Sequence, residues 1–296
     1  MISLADLAAL HEQYADDLTR PVTPVAVTDD LTVGDGAVTL MGVVNLSRDS
    51  TYRESIAGST EAAVRKGRIQ ATQGASVVDL GAEASGDDAD RVDAAEQLEK
   101  LLPVVEELSR HTVVSVETYR PDVVRAVLDA GARMINLTGR KDEDEMLTAI
   151  AEHDATVLMC FGTADNVREH DDLPEERDLV PFLVDHFAER IENARSLGVG
   201  KVIVDPGMGF TYPNLGGVER ARLQTRTVTQ NFRLRSLGVP TASVLPHNLD
   251  IFEDEFRKAE GFFTVFASLG GVHLLRVHEV PHVRTVLRAL DVLDVS

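Results

Sequence analysis

Arg276 and His278 are two residues apart in Leu-Leu-Arg-Val-His, so in an extended segment both side chains project from the same face. Two such groups can hold a phosphate or diphosphate, with the planar guanidinium donating to two oxygens at once. Paired with a neighbouring acid, Arg276 would instead be half of an ion pair and His278 a cap; the two residues alone leave both readings open. Asn45 closes the apolar run Met-Gly-Val-Val-Asn and suits a phosphate oxygen or a hydrated Mg2+. Asp205 opens Asp-Pro-Gly-Met-Gly-Phe, a carboxylate followed by two glycines that let backbone come close to a flat ligand. A buried carboxylate accepts two hydrogen bonds from an amidine-like edge, such as the 2-amino and N3–H groups of a pterin or guanine ring. Asn136 offers a donor and an acceptor to a heterocycle with alternating nitrogens, or else caps a turn. Asp79, Glu83, Glu117, Cys160, His247 and Asn248 are the other polar or reactive residues that end apolar runs.

Those runs are Val38 to Asn45, Ser76 to Glu83, Thr112 to Thr118, Met134 to Gly139, Ala155 to Phe161, Lys201 to Gly207, Pro240 to Pro246 and Val272 to His278. Their continuous apolar character is that of strands covered on both faces, which predicts a parallel sheet. Helical spacing occupies Thr60 to Gln73, Ala94 to Ser109, Asp122 to Asp129, Asp144 to Glu152, Leu179 to Ser196 and Asn248 to Leu269. Gly74, Gly131 and Gly198 each fall just after a helical stretch and just before a strand, where a left-handed cap fits. Strand, helix, glycine and strand again is the unit of an α/β (β/α)8 TIM barrel, whose active face lies at the strand C-termini. The expected organisation is an N-terminal extension over 1–36 and one barrel over 37–296. The extension has an amphipathic stretch, Ile2 to Tyr14, and either caps the barrel's bottom or offers a partner surface.

The net charge of −20 argues against nucleic acid and anionic membrane surfaces as partners, so an anionic ligand must be held by a few local cations. Only five of the 29 basic residues are Lys, which fits a GC-rich genome or a salty cytoplasm equally. The single cysteine, Cys160, excludes an internal disulfide and a multi-Cys zinc site; it reads as packing or a pocket wall rather than a nucleophile. With no long uncharged apolar run and no basic-then-apolar leader, a cytoplasmic protein is expected. The nine His residues raise a metal-hydrolase reading, but no His-x-His closes the first strand and His111, His153, His170, His186, His273 and His282 lack ligand spacing. The acidic connection from Gly162 to Pro181 is either a lid or a solvated insertion.

Taken in order, Met41 to Ser50, Val78 to Glu83, Ser115 to Tyr119, Met134 to Asn136, Asp205 to Phe210 and Leu275 to His278 resemble the motifs of dihydropteroate synthase. The resemblance covers roughly Val38 to Leu293. It implies a pterin-binding barrel that joins a dihydropterin methyl diphosphate to 4-aminobenzoate with release of pyrophosphate, usually with Mg2+, and that forms a homodimer. By that resemblance Asn45 helps hold Mg2+ and pyrophosphate, Arg276 and His278 bind the departing phosphates, and Asn136 and Asp205 grip the pterin. Glu117 stands where the family has Asp.

Several positions depart from the pattern. The family's Glu-Ser-Thr-Arg-Pro reads Glu83-Ala-Ser-Gly-Asp-Asp88 here, and its Ser-Arg-Lys is replaced by Leu245-Pro-His-Asn-Leu249, with His247 or Asn248 left to take over the Lys contact. Leu137 replaces a common Asp, Met159-Cys-Phe161 replaces a His-containing strand end, and the loop after Asn45 loses a Pro and a Phe. The losses fall on the amine side and part of the pterin wall, while the diphosphate residues are kept. The expectation is therefore transfer of a pterin methyl unit to 4-aminobenzoate or another amine. A catalytically weak or inactive pterin-binding paralogue and a methyltetrahydrofolate-dependent methyltransferase, for which Asn248 would contact the ring, are the alternatives.

Overall fold

In the computed structural model every apolar run expected to be a strand is one, trimmed at its ends. The structure describes residues 2–47, 52–84, 90–162, 164–166, 169, 172–174, 178–210, 212 and 214–294. Arg48 to Thr51, most of the loop after Glu83 and parts of the acidic connection, including His170, lie outside the described residues. The N-terminal segment carries strands β1 (Val25–Thr28) and β2 (Leu31–Val33), which pair antiparallel. The barrel strands are β3 (Thr39–Asn45), β4 (Val77–Gly81), β5 (Val113–Thr118), β6 (Met134–Leu137), β7 (Thr156–Cys160), β8 (Val202–Asp205), β9 (Ala242–Val244) and β10 (Leu274–Val277). All neighbouring pairs among them are parallel, in the order β8-β7-β6-β5-β4-β3-β10-β9. A parallel bridge from Val204 to Thr241 joins the two ends, so the sheet closes into the expected (β/α)8 barrel.

Alternation along each strand explains how one segment serves both packing and chemistry. Leu40, Val44, Val78, Leu80, Val114, Val116, Ile135, Leu137, Val157, Met159 and Leu275 are buried in one core with residues of the surrounding helices. The intervening residues point inward. Low in the barrel these are Met41, Val77, Met134, Leu158, Ile203, Ala242 and Leu274, which form a second core. Two residues further along the same strands the inward positions become Val43, Asp79, Asn136, Cys160, Asp205, Val244 and Arg276. The same period of two thus makes a dry floor and a polar mouth.

Val25, Val27 and Val33 of the β1–β2 hairpin belong to the inner core, so the N-terminal segment plugs the barrel at the strand N-termini. Of the two roles open for the segment, the hairpin takes the cap. The segment begins with α1 (Leu4–Gln13), which is capped by Ser3 and Asp6 and buries no residue, and a short α2 (Ala15–Leu18).

Around the barrel run α3 (Thr60–Gln73), α4 (Ala94–Leu108), α5 (Pro121–Asp129), α6 (Glu143–Glu152), α7 (Val180–Ser196), α8 (Gly217–Thr229), α9 (Leu249–Phe252), α10 (Ala259–Leu269) and α11 (Val280–Val292). Gly74, Gly131 and Gly198 have φ of 114°, 111° and 94°, as the cap reading requires. The stretch Asn248 to Leu269 is not one helix. Glu253 sits at φ 47° after α9, a left-handed position that interrupts the helical ladder, and a 3-10 segment over Glu253–Lys258 follows before α10. Helix α8 is not among the expected helices because Leu223 and Val228 are the large apolar residues of its buried side, the rest being Ala221, Gln224, Thr227 and Thr229, which gives little apolar period. Among the described residues no helix is long and apolar enough to cross a membrane.

Two histidines packed outside the site set an acid limit on stability. His186 on α7 lies against Phe161 and Phe187, with ring centroids 4.9 and 5.3 Å away, and burial, then Arg190, lowers it to about 3. His273 is lowered to about 4 by burial, then Arg235. An unfolded chain takes up these protons near pH 6.5, before the folded one does, so stability present above that pH is lost as pH falls toward 4. For His186 the loss is on the order of 2 kcal/mol by about pH 5. Urea melts between neutral pH and pH 5 should show this slope, and His186→Phe should flatten it. An unchanged slope in the variant would show that other groups set the acid limit.

Candidate functional site

The inward residues at the C-terminal ends of the strands enclose a cavity of about 280 Å³. Asn45, Glu117, Asn136, Asp205, His247, Asn248, Arg276 and His278 all line it, so the structure brings together every residue singled out from the sequence as substrate- or diphosphate-binding. Register explains the convergence: Asn45 lies beside Gly81, Gly81 beside Glu117, Glu117 beside Asn136, and Cys160 beside Asp205 on adjacent strands.

The floor is a charge network. Arg276 Nε donates to Asp79 Oδ2 at 2.7 Å, and Nη2 donates to Glu117 Oε2. Asn136 Nδ2 donates to the same Asp79 oxygen at 3.1 Å, and the Cys160 thiol donates to Asn136 Oδ1 at 3.2 Å. Asp79 is fully buried, and its Oδ1 has no hydrogen-bond partner among the described residues. Burial, offset by Arg276, raises the Glu117 carboxyl, while Glu117 and Asp79 overcome burial and hold the guanidinium firmly charged. The ion-pair reading of Arg276 is therefore correct in part. Its partners are two strand-borne acids inside the barrel rather than a loop acid, and Nη1 makes no hydrogen bond among the described residues. Burial also pushes the Cys160 thiol up, which keeps it an uncharged wall residue.

Asp205 is locked by its own motif. Gly207, at φ 74°, turns its N–H back to Asp205 Oδ1 at 2.7 Å, and Val244 N donates to Oδ2 at 2.9 Å. Burial raises this carboxyl and the two backbone N–H groups counter it. Each oxygen keeps a second lone pair for a ligand. The second glycine lines the cavity and also has a packing task. A Cβ on Gly209 would come within 2.5 Å of Val244, so its bareness lets the loop pack on β9.

At the other end of the cavity the rings of Tyr52, His247 and His278 form a triangle: Tyr52 stacks on His247 at 5.1 Å and on His278 at 4.4 Å, and the two imidazoles are 4.8 Å apart. Glu260, on α10, is fully buried and accepts from His278 N and Nδ1 at 2.9 Å and from Glu279 N at 2.9 Å. Burial works to raise the Glu260 carboxyl, but the two imidazoles outweigh it and hold it well below the usual carboxylate range. Burial lowers His278 more than Glu260 raises it. Asn248 adopts φ 47°, and its buried Oδ1 has no hydrogen-bond partner among the described residues.

Tyr52 and Glu260 were not among the expected site residues. Tyr52 follows a loop with no apolar period, and Glu260 looks like one acid among several in the run from Glu253. The one available signal for Glu260 was the strongly apolar helix around it, Phe262 to Leu269. Glu83 behaves in the opposite way. It ends an apolar run but accepts from Gln97 Nε2 and Tyr119 OH, both at 2.8 Å, and does not line the cavity.

The family model described as Pterin binding enzyme matches residues 41–278. The dihydropteroate synthase of Escherichia coli strain K12 is 27% identical over 257 residues, spanning 85% of this chain and 90% of that one. A probable bifunctional folylpolyglutamate synthase/dihydropteroate synthase of Halobacterium salinarum is 30% identical over 260 residues; the match covers 85% of this chain but only 31% of that longer protein. The Xanthomonas albilineans dihydropteroate synthase, solved with 4-aminobenzoic acid, superposes with a TM-score of 0.77 at 26% identity, over 92% of this chain and 100% of that one. The chain belongs to the pterin-binding enzyme family.

Within it, the chain is a divergent member of the dihydropteroate synthase group. The donor set at the cavity would fit Mg2+. Asn45 brings one neutral side-chain oxygen to the cavity, which suits an ion that keeps most of its waters and takes the rest of its ligands from substrate phosphates. Asp79 and Glu117 are engaged with Arg276 and complete no carboxylate cage for it.

Proposed function

We propose that this pterin-binding enzyme transfers a dihydropterin methylene group from diphosphate to an arylamine, with 4-aminobenzoate the first candidate. The observation that carries the reading is the polarity of the cavity at the strand C-termini: buried acceptors at its floor and an aromatic, imidazole-bearing wall with a guanidinium nearby. Asp205 and Asn136 hold the N–H edge of the pterin, and the Asn248 oxygen, unpartnered among the described residues, is a further acceptor for ring donors. Glu117 keeps Arg276 charged and aimed. Arg276 Nη1 and His278 meet the diphosphate, and His247, with its ring 4.8 Å from that of His278, or Asn248 takes over the contact of the family's Lys. Mg2+ held at Asn45 would supply added charge for the departing pyrophosphate.

The bond changes are simple. The amine nitrogen bonds to the methylene carbon as the bond from that carbon to the diphosphate oxygen breaks; pyrophosphate leaves with the electron pair and the new secondary amine loses a proton. No protein nucleophile is required, and the uncharged Cys160 supplies none. The protein's work is orientation and charge stabilisation.

Incubation with dihydropterin methyl diphosphate, 4-aminobenzoate and Mg2+, followed by mass spectrometry, should yield dihydropteroate and pyrophosphate in equal amounts. Tight binding of the pterin diphosphate with no product would instead support a binding paralogue or a different accepting amine. Turnover of methyltetrahydrofolate would move the assignment to methyl transfer.

A further inference from the structure

We propose that His247, Glu260 and His278 form a binding site for a divalent transition-metal ion of the Zn2+ class. One nitrogen from each histidine and one carboxylate oxygen lie within 4.8 Å of one another. His278 Nδ1 is 2.9 Å and His247 Nε2 3.4 Å from the same oxygen, Glu260 Oε1. A tetrahedral Zn2+ with ordinary bond lengths places its ligand atoms about 3.3 Å apart, and the observed separations bracket that value.

Three further observations favour a metal over a plain hydrogen-bonded cluster. His247 Nε2 is buried and, beyond its 3.4 Å approach to Glu260 Oε1, has no hydrogen-bond partner among the described residues, so it has the capacity to take a cation. Glu260 is fully buried in the first turn of α10; its Oε2 accepts from Glu279 N, while its Oε1, which accepts from His278 N, is the oxygen that faces both imidazoles. The imidazole rings are held in place by stacking on Tyr52, whose hydroxyl donates to Glu279, so the ligands are oriented by a second layer. The ligands come from the loop after β9, from α10 and from the end of β10, so only the closed barrel assembles them.

Two imidazoles and one carboxylate select a borderline ion over hard Mg2+, which prefers oxygen. The site is therefore distinct in chemistry from that at Asn45, although both adjoin the cavity. An ion here would place a fixed positive charge in the wall where the sequence otherwise offers only imidazoles. Binding requires His278 Nδ1 as a lone pair, so its proton moves to Nε2.

The test uses full-length, chelator-treated protein, Zn2+ alone or Mg2+ alone, and no substrate, so its outcome is independent of the synthase reading. Calorimetry and elemental analysis should show one Zn2+ per chain bound more tightly than Mg2+, with a higher melting temperature. His247→Ala and Glu260→Gln should weaken Zn2+ binding by about 10-fold or more. If Glu260→Gln fails to fold, His247→Ala carries the comparison, because its ring is at the rim rather than in the core. Absence of stoichiometric Zn2+ in the parent protein, or undiminished binding in His247→Ala, overturns the site.

Discussion

Replacing Arg276 by Ala is expected to abolish product formation and to cost about 3–5 kcal/mol of stability, the usual penalty for stranding a buried charge. Arg276 is the cation bonded to both Asp79 and Glu117 inside the barrel. Without it, two carboxylates remain in a region that already raises Glu117 by burial. A variant that also neutralises them, Arg276→Met with Asp79→Asn and Glu117→Gln, should recover most of the stability in urea melts. It should not recover turnover, because Arg276 Nη1 no longer meets the diphosphate. Recovery of both would show that Arg276 is a counter-ion alone and would remove it from the reaction.

Asp205→Asn is expected to weaken pterin binding by about 100-fold, because one acceptor oxygen becomes a donor and the other loses its charge. The carboxylate is 1% exposed and receives a backbone N–H on each oxygen. An amide must turn its NH2 toward either Gly207 N or Val244 N, setting donor against donor and costing about 1–3 kcal/mol more. Calorimetric titration with a pterin separates the two effects, since a stability loss alone leaves the affinity of the folded fraction intact. If that affinity changes by only a few-fold, Asp205 secures the loop and the ring is held elsewhere.

Both variants rest on residues visible in the sequence, but their partners were not. Asp205 and its glycines form one contiguous motif, and Gly207 does what the motif suggested. Arg276 lies 197 residues from Asp79 and 159 from Glu117, and nothing local in the chain specifies which acid it meets. Closure of the barrel chooses them, because β10 lies beside β3 and so brings the last strand next to the first.

The eight strands, the polar residues at their ends and the three glycine caps were determined by the sequence itself. These follow from local rules: side chains alternate along a strand, repeat every 3.6 residues along a helix, and a left-handed cap favours glycine. Long-range packing decided the rest. It put the N-terminal hairpin under the barrel as a plug, turned Glu83 away toward Gln97 and Tyr119, and broke the helix after Asn248 so that Glu260 came to lie beneath His278. Each of these depends on which surfaces meet when the sheet closes, a relation between distant segments that no short stretch of sequence encodes.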